Sequence, residues 1–179
     1  MCILLKECQG VDYTPRGMRV IEALYIYHLT KYTEFLDTIF FLLRKKFHQV
    51  SILHVYHHAI MPFHTWILLR FLPNGYETFA GVLNCVIHII MYSYYLLASF
   101  GPHMQKYLWW KRYLTQFQIV QFIIVVTRSL MVVLGIVDCY PWQHSLWSLC
   151  VVLGFLVLFS NYYIQEYLKK KNDKYKKFK

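Results

Sequence analysis

The stretch "SILHVYHHAIMPF", from Ser51 to Phe63, sets three histidines in a largely apolar run. His54, His57 and His58 have the spacing i, i+3, i+4, which puts all three imidazoles on one face of an α-helix. An imidazole among hydrocarbon side chains is costly unless it finds a polar partner. The stretch therefore predicts a helix with one buried polar face, and other polar residues that meet that face.

The composition is typical of a membrane protein. Hydrophobic residues make up 58% of the 179 residues and charged residues 16%, against about 45–50% and about 25% in ordinary soluble domains. The net charge of +10 would suggest a nucleic-acid partner in a soluble protein. Here the basic residues lie between apolar runs, as at the cytoplasmic face of a membrane protein. We therefore expect membrane lipid, and no nucleic acid, as a partner.

Five segments are apolar over the roughly 20 residues that a bilayer-spanning helix needs. They predict an all-α polytopic membrane helix bundle with about five transmembrane helices. We expect a single domain over residues 1–179, with a basic cytoplasmic tail at residues 169–179. The five segments are Val20–Leu43, Val50–Phe71, Tyr76–Phe100, Tyr113–Val137 and Ser145–Leu168.

The connecting segments alternate in charge along the chain. Arg44–Gln49 and His103–Arg112 are basic, whereas Leu72–Glu77 and the loop Asp138–His144 contain neither Lys nor Arg. Positive residues concentrate on the cytoplasmic side of membrane proteins. Five spans with this alternation therefore predict a cytoplasmic C-terminus and a luminal or exoplasmic N-terminus.

Charged residues inside a predicted span are candidates for a functional site, because they are costly in lipid. Lys31, Glu34 and Asp37 lie in the first span within one arc of about 120°. Lys31 and Glu34 have the i, i+3 spacing of an ion pair. Two interpretations stay open, a buried charge network that orients helices and the polar wall of an active-site cavity.

Polar residues of several spans lie in the same half of the membrane. Counted from the basic segments at about 1.5 Å per residue, Asp37 and His57 lie about 10 Å deep. Lys31 and His88 lie about 20 Å deep on the same scale. Independent structural residues are not expected to agree in depth, so one shared site open to the cytoplasm explains them better. Arg128 lies deeper and has no assigned role. The further candidates are Asn84, His88 and Tyr92 in the third span, and Gln116, Gln118 and Gln121 in the fourth.

One chemistry for clustered membrane histidines is metal binding. A di-iron desaturase or hydroxylase uses several histidine boxes, but this sequence has a single HxxHH motif. His28 and His64 would have to be recruited, with Glu34 and Asp37 as carboxylate ligands. Five cysteines without a CxxC pair do not indicate a zinc site. We expect no metal, and the di-iron alternative stays open.

The other chemistry is nucleophilic catalysis. A neutral imidazole attacks a thioester and forms an acyl-imidazole, which can pass the acyl group on. Cys85, three residues before His88, is a competing nucleophile.

Four motifs together resemble the ELO family, the very-long-chain fatty acid elongases of the endoplasmic reticulum. In the family's order they are "KYTEFLDT" (Lys31–Thr38), "HVYHH" (His54–His58), "NCVIHIIMYSYY" (Asn84–Tyr95) and "TQFQIVQF" (Thr115–Phe122). The likeness covers nearly the whole chain. It implies a fold of seven membrane helices, six of them around an acyl tunnel, of which this chain is expected to lack the first two.

The resemblance implies condensation of a long-chain acyl-CoA with malonyl-CoA to a 3-ketoacyl-CoA, with loss of CO2 and one CoA and without a cofactor. It implies the endoplasmic reticulum membrane as the location, and the tail Lys176–Lys179 resembles a dilysine retrieval signal. Implied partners are other elongase chains and the reductases and dehydratase of the elongation cycle. The alternative is a chain without turnover that pairs with full-length elongases.

We predict His57 as the acyl acceptor and His88 as its acid–base partner, because His57 is central in the box and His88 shares its half of the membrane. His54 and His58 would orient and polarise the reacting groups. The residues expected to hold the CoA phosphates, the malonyl carboxylate or the histidines are Lys31, Glu34, Asp37, Asn84, Tyr92, Gln116 and Gln118.

Two cysteines, Cys8 and Cys139, fall on the luminal side in the predicted topology. The lumen of the endoplasmic reticulum is oxidising enough to keep a disulfide. Cys85 and Cys150 lie in spans, and Cys2 lies at the N-terminal end. We therefore predict a Cys8–Cys139 disulfide that ties the segment before the first span to the last luminal loop.

Overall fold

The structure is a computed structural model that describes residues 11–73, 75–137 and 141–169, without the side chains of residue 48 and residues 75–77. Within these residues the chain forms six α-helices and no β-strand, so the all-α prediction is confirmed. The helices are α1 (Pro15–Thr33), α2 (Phe35–Leu43), α3 (Ile52–Phe71), α4 (Gly75–Ser99), α5 (Lys111–Val133) and α6 (Trp142–Tyr163). Short 3₁₀ helices at Phe47–Gln49 and Pro102–Tyr107 and a π-helical segment at Ile164–Lys169 complete the described secondary structure.

Hydroxyl caps start the two helices that carry most of the predicted site. Thr14 precedes α1 and accepts a hydrogen bond from the Gly17 N–H at 3.3 Å, with Pro15 at the first helical position. Ser51 precedes α3 and accepts from the His54 N–H at 3.2 Å. Each hydroxyl satisfies one of the backbone N–H groups that a helix start leaves without a partner.

The predicted first span, Val20–Leu43, is not one helix, and this part of the prediction is wrong. A break at Glu34 separates α1 from α2. The Glu34 N–H still bonds to the Thr30 carbonyl at 3.0 Å, but the Asp37 N–H returns only three residues, to the Glu34 carbonyl at 3.1 Å. The tightened turn starts α2 in a new register, and the Glu34 side chain is buried.

Five helices contact one another in a closed cycle. Helix α1 packs on α4, α4 on α5, α5 on α6, α6 on α3 and α3 on α1, and the α5–α6 pair is the most extensive. Helix α2 has no buried residue and lies at the edge, where it continues from α1. The cycle brings α1, α3 and α4, which carry the predicted histidines and charges, to one side of the bundle.

A glycine sets the closest approach of α3 to α6. The Tyr56 hydroxyl donates to the Val151 carbonyl at 3.2 Å, and its ring packs edge-on against Phe155 at 4.9 Å. A Cβ at Gly154 would clash with the Tyr56 hydroxyl. Because Gly154 has no side chain, Tyr56 can approach α6 this closely. The contact holds α3 against α6 at the residue that precedes His57.

Three helical segments of the described chain are long and apolar enough to cross a membrane, namely Thr78–Ser99, Lys111–Val133 and Trp142–Lys169. Helix α3 is also long enough to cross a membrane, but its four histidines and Arg70 lower its mean hydropathy. Many large apolar side chains are exposed on the helices, as expected where lipid covers the surface. The chain is a multi-pass membrane protein.

His144, predicted in a loop, lies in the first turn of α6 and is buried.

The predicted Cys8–Cys139 disulfide lies outside the described residues, as does the basic tail from residue 170 onward.

Candidate active site at a carboxylate shared by two histidines

The site is centred on Glu34, at the break between α1 and α2. Its Oε1 lies 2.7 Å from Nζ of Lys31 and 3.3 Å from Nδ1 of His88, and its Oε2 lies 3.8 Å from Nδ1 of His57. The predicted Lys31–Glu34 pair is confirmed. Three helices meet at this carboxylate, because Lys31 comes from α1, His57 from α3 and His88 from α4.

Lys31 is almost completely buried, with 2% of its side chain exposed. Its Nζ also donates to Oδ1 of Asn84 at 3.3 Å. The Tyr27 hydroxyl donates to the same Oδ1 at 2.9 Å, and the Tyr27 ring lies 4.6 Å from Nζ of Lys31. A buried ammonium is tolerated only when it is paired and hydrogen-bonded, and these contacts meet that requirement.

The two histidines of the predicted acid–base pair are neighbours in the structure. The ring centroids of His57 and His88 lie 5.9 Å apart. Each ring turns Nδ1 towards Glu34, which leaves Nε2 of each ring as the nitrogen available to a substrate. Phe155 of α6 covers His57 at 5.6 Å and stacks on Phe122 of α5 at the same centroid distance. His57 therefore lies between the Glu34 carboxylate and the stacked rings of Phe155 and Phe122.

The other two box histidines face a separate apolar cavity. His54 and His58 lie 4.1 Å apart, and Thr38 Oγ1 lies 2.7 Å from Nε2 of His54. Both line a cavity of about 880 Å³ bounded by α1, α2 and α3, whose walls include Phe35 and Trp66. The HxxHH box thus divides, with His57 turned to the carboxylate and His54 and His58 to the cavity.

Asp37 and Tyr92 adjoin the site. The Tyr92 hydroxyl donates to Oδ2 of Asp37 at 2.9 Å, which joins α2 to α4. The Tyr92 ring lies 6.0 Å from the ring of His88. Asp37 is thus hydrogen-bonded to α4, whereas Lys31 pairs with Glu34.

The two glutamines predicted to bind substrate, Gln116 and Gln118, make contacts on different sides of α5. Gln118 Nε2 lies 3.8 Å from the sulfur of Met91, one turn beyond His88. Gln116 donates to the Tyr163 hydroxyl at 2.8 Å and so lies in the α5–α6 interface. The structure brings Gln118 to α4 but turns Gln116 towards α6. Their roles in substrate binding stay predictions.

The histidines that a di-iron site would recruit are engaged elsewhere. Nδ1 of His28 lies 2.8 Å from the Thr65 hydroxyl, and Nδ1 of His64 accepts from the Trp147 indole at 3.1 Å. Among the side chains that the structure describes, no three of His, Cys, Asp or Glu are arranged to hold a metal ion.

Three neighbours of the site were not predicted. Tyr27 precedes Lys31 by one helical turn, so the i, i+4 spacing was a usable signal. Thr38 is the last residue of the "KYTEFLDT" motif, so its membership of the motif was a usable signal. Phe155 follows His57 by nearly a hundred residues, and no local pattern marks it.

The fold and the site define a polytopic membrane protein with a histidine–carboxylate centre inside a helix bundle. A model of the ELO family, described as GNS1/SUR4, matches residues 2–175, and the chain belongs to this family. It is 45% identical over 167 residues to very long chain fatty acid elongase 7 of Drosophila melanogaster, covering 92% of this chain and 50% of that protein.

Two mammalian elongases are about as similar to the chain. Very long chain fatty acid elongase 2 of Mus musculus is 46% identical over 166 residues, covering 92% of this chain and 56% of its own length. Very long chain fatty acid elongase 4 of Homo sapiens is 45% identical over 172 residues, covering 93% and 54%. The chain spans about half the length of the curated relatives it matches.

Proposed function

We propose that this chain carries the condensing site of a very long chain fatty acid elongase. The reaction joins a long-chain acyl-CoA to malonyl-CoA and gives a 3-ketoacyl-CoA, CO2 and CoA. The observation that carries the proposal is the Glu34 carboxylate, which lies between the Nδ1 atoms of His57 and His88. The names of the relatives, each called a very long chain fatty acid elongase, support the same activity.

In the first step, Nε2 of His57 attacks the thioester carbonyl of the acyl-CoA. A C–N bond forms, the C–S bond breaks and the CoA thiolate leaves, so the acyl group is held as an acyl-imidazole that keeps its Nδ1 proton and therefore carries a positive charge. Positive charge develops on the His57 ring during the attack. The Glu34 carboxylate, 3.8 Å from its Nδ1, stabilises that charge electrostatically.

In the second step, malonyl-CoA loses CO2, and the electron pair of the broken C–C bond stays on carbon 2 of the thioester. This carbon attacks the acyl carbonyl, a new C–C bond forms, and His57 leaves as neutral imidazole. The overall reaction takes up one proton, which ends on the CoA sulfur. His88, whose ring lies 5.9 Å from that of His57, delivers this proton.

The surroundings of the reaction are proposed as well. We propose that it needs no metal or redox cofactor, because acyl transfer through an imidazole requires neither. We propose the endoplasmic reticulum membrane with the C-terminus in the cytoplasm, on the strength of the alternating basic segments. Reductases and a dehydratase would process the product, and other elongase chains are candidate oligomer partners.

The test is product analysis with the purified 179-residue chain in lipid nanodiscs. Long-chain acyl-CoA and [2-14C]malonyl-CoA should yield labelled 3-ketoacyl-CoA with the wild type and with His103→Ala, which changes an exposed histidine of a connecting segment. No product should form with His57→Ala. Absence of product from the wild type in nanodiscs, and in cells lacking their own elongases, would exclude the proposed activity for this chain.

A further inference from the structure

We propose that Tyr27 is a positioning residue that holds Lys31 against Glu34 by fixing the orientation of the Asn84 amide. Tyr27 lies one helical turn before Lys31 on α1, and its hydroxyl donates to Oδ1 of Asn84 on α4 at 2.9 Å. The inference concerns how the site is held, and its catalytic readout rests on the proposed condensing function.

The ammonium of Lys31 is enclosed on three sides. A lysine ammonium has three N–H donors and no acceptor. One donor goes to Glu34 Oε1 at 2.7 Å and one to Asn84 Oδ1 at 3.3 Å, while the face of the Tyr27 ring lies 4.6 Å from Nζ. A carboxylate, an amide oxygen and an aromatic face all attract a cation.

The Tyr27 hydroxyl helps to hold the oxygen of the Asn84 amide towards the lysine. An asparagine amide carries an oxygen acceptor and an NH2 donor that exchange places on rotation. The phenol donates to Oδ1, so that oxygen is held where Lys31 also donates to it. Without the phenol, that oxygen would be held only by the 3.3 Å contact with Lys31, and the amide would be freer to move away from the ammonium.

The position of Lys31 controls the carboxylate that Nδ1 of both histidines faces. Glu34 Oε1 is shared between Nζ of Lys31 and Nδ1 of His88 at 3.3 Å. A displaced ammonium would draw this oxygen away from His88 or leave it uncompensated. Tyr27 thus acts on the reacting rings through Asn84, Lys31 and Glu34.

The catalytic test compares Tyr27→Phe with Tyr25→Phe in the full chain. Both variants keep the ring, and Tyr25 is an exposed tyrosine on the same helix. We expect Tyr27→Phe to lower kcat about 5- to 10-fold, as for one lost hydrogen bond, with KM for both substrates within about twofold. Tyr25→Phe should leave both constants unchanged. In an Asn84→Ala background, Tyr27→Phe should have no additional effect, because the intermediary is already lost.

A second readout does not depend on turnover. In a chain labelled with [15N]histidine, Tyr27→Phe should shift the imidazole 15N resonances of His57 and His88 and leave those of His64 unmoved. Asn84→Ala should shift the same pair and serves as the second variant if Tyr27→Phe fails to fold. Unchanged His57 and His88 resonances in a folded variant would overturn the role of Tyr27. Shifted resonances in a chain that shows no condensation would support Tyr27 and reject only the condensing function.

Discussion

The ammonium of Lys31 lies 2.7 Å from Oε1 of Glu34 in the interior of the bundle, with 2% and 8% of the two side chains exposed. Such a pair differs from a surface ion pair, because removing one partner leaves the other charge buried and uncompensated. The pair also anchors the carboxylate to which both histidines turn.

Lys31→Met should therefore lower the free energy of unfolding by about 3–5 kcal/mol. Glu34→Gln should destabilise as well, and the double variant should lose less than the sum of the two single variants. Denaturant titration in detergent micelles, followed by circular dichroism, measures these differences. Strict additivity would contradict a direct buried interaction between the two charges.

His57→Ala should abolish condensation, whereas Cys85→Ala should retain near wild-type turnover. Cys85 lies three residues before His88 and is exposed, and its thiol is the alternative acyl acceptor. Peptide mapping after incubation with labelled acyl-CoA, without malonyl-CoA, should find the acyl group on His57. An acyl group found on Cys85, with loss of turnover in Cys85→Ala, would move the nucleophile to the cysteine.

Tyr92→Phe should raise the KM for acyl-CoA several-fold and change kcat little. The Tyr92–Asp37 hydrogen bond joins α4 to α2, and α2 has no buried residue of its own to hold it in place. The exposed Tyr95 on the same helix provides the control, since Tyr95→Phe removes a hydroxyl without removing this link. Steady-state kinetics of Tyr92→Phe and Tyr95→Phe test this prediction. Equal changes in the KM for acyl-CoA would show that the Tyr92–Asp37 hydrogen bond has no special role.

Gly154→Ala should destabilise the bundle by about 1–3 kcal/mol, because the new methyl group overpacks the α3–α6 contact. Gly81→Ala on α4 is the matched control. Its Cβ would lie 3.8 Å from the Tyr27 ring, an ordinary van der Waals distance, so its unfolding free energy should be close to that of the wild type. In the double variant with Tyr56→Phe, part of the unfolding free energy that Gly154→Ala loses should be recovered, because the clashing hydroxyl is gone. No recovery would show that the clash with the Tyr56 hydroxyl is not the cause of the destabilisation.

The Cys8–Cys139 disulfide stays a prediction. It would stabilise the chain by roughly 3–5 kcal/mol, since it closes a loop of more than about 100 residues. Non-reducing digestion of protein from the membrane fraction, followed by mass spectrometry, should recover the two cysteines in one cross-linked peptide. Free alkylation of both residues would exclude the bridge and weaken the predicted topology.

The sequence predicted the parts of the site that follow from helical period. Lys31 and Glu34 share a face at i, i+3, and the structure pairs them. The placement of His57 and His88 in the same half of the membrane predicted one shared site, and their rings are neighbours. Both inferences need only the rise and twist of a helix in a bilayer of known thickness.

Other features depend on tertiary contacts that no local pattern records. The break at Glu34 was missed because an apolar run with no Gly or Pro predicts a continuous helix. The direction of Gln116 was missed because a helix presents several faces, and only packing selects the one that meets α6. Phe155 reaches His57 through the α3–α6 contact at Gly154, although Phe155 and His57 lie far apart in the sequence.

The three-residue spacing of Lys31 and Glu34 also bears on how the chain enters its membrane during synthesis. Two opposite charges on different helices would each have to be inserted alone and meet later. These two lie on adjacent turns of one segment, so they can cross the headgroup region as a neutral dipole before α3 or α4 has been made. The carboxylate that the histidines of α3 and α4 face is therefore neutralised from within its own segment.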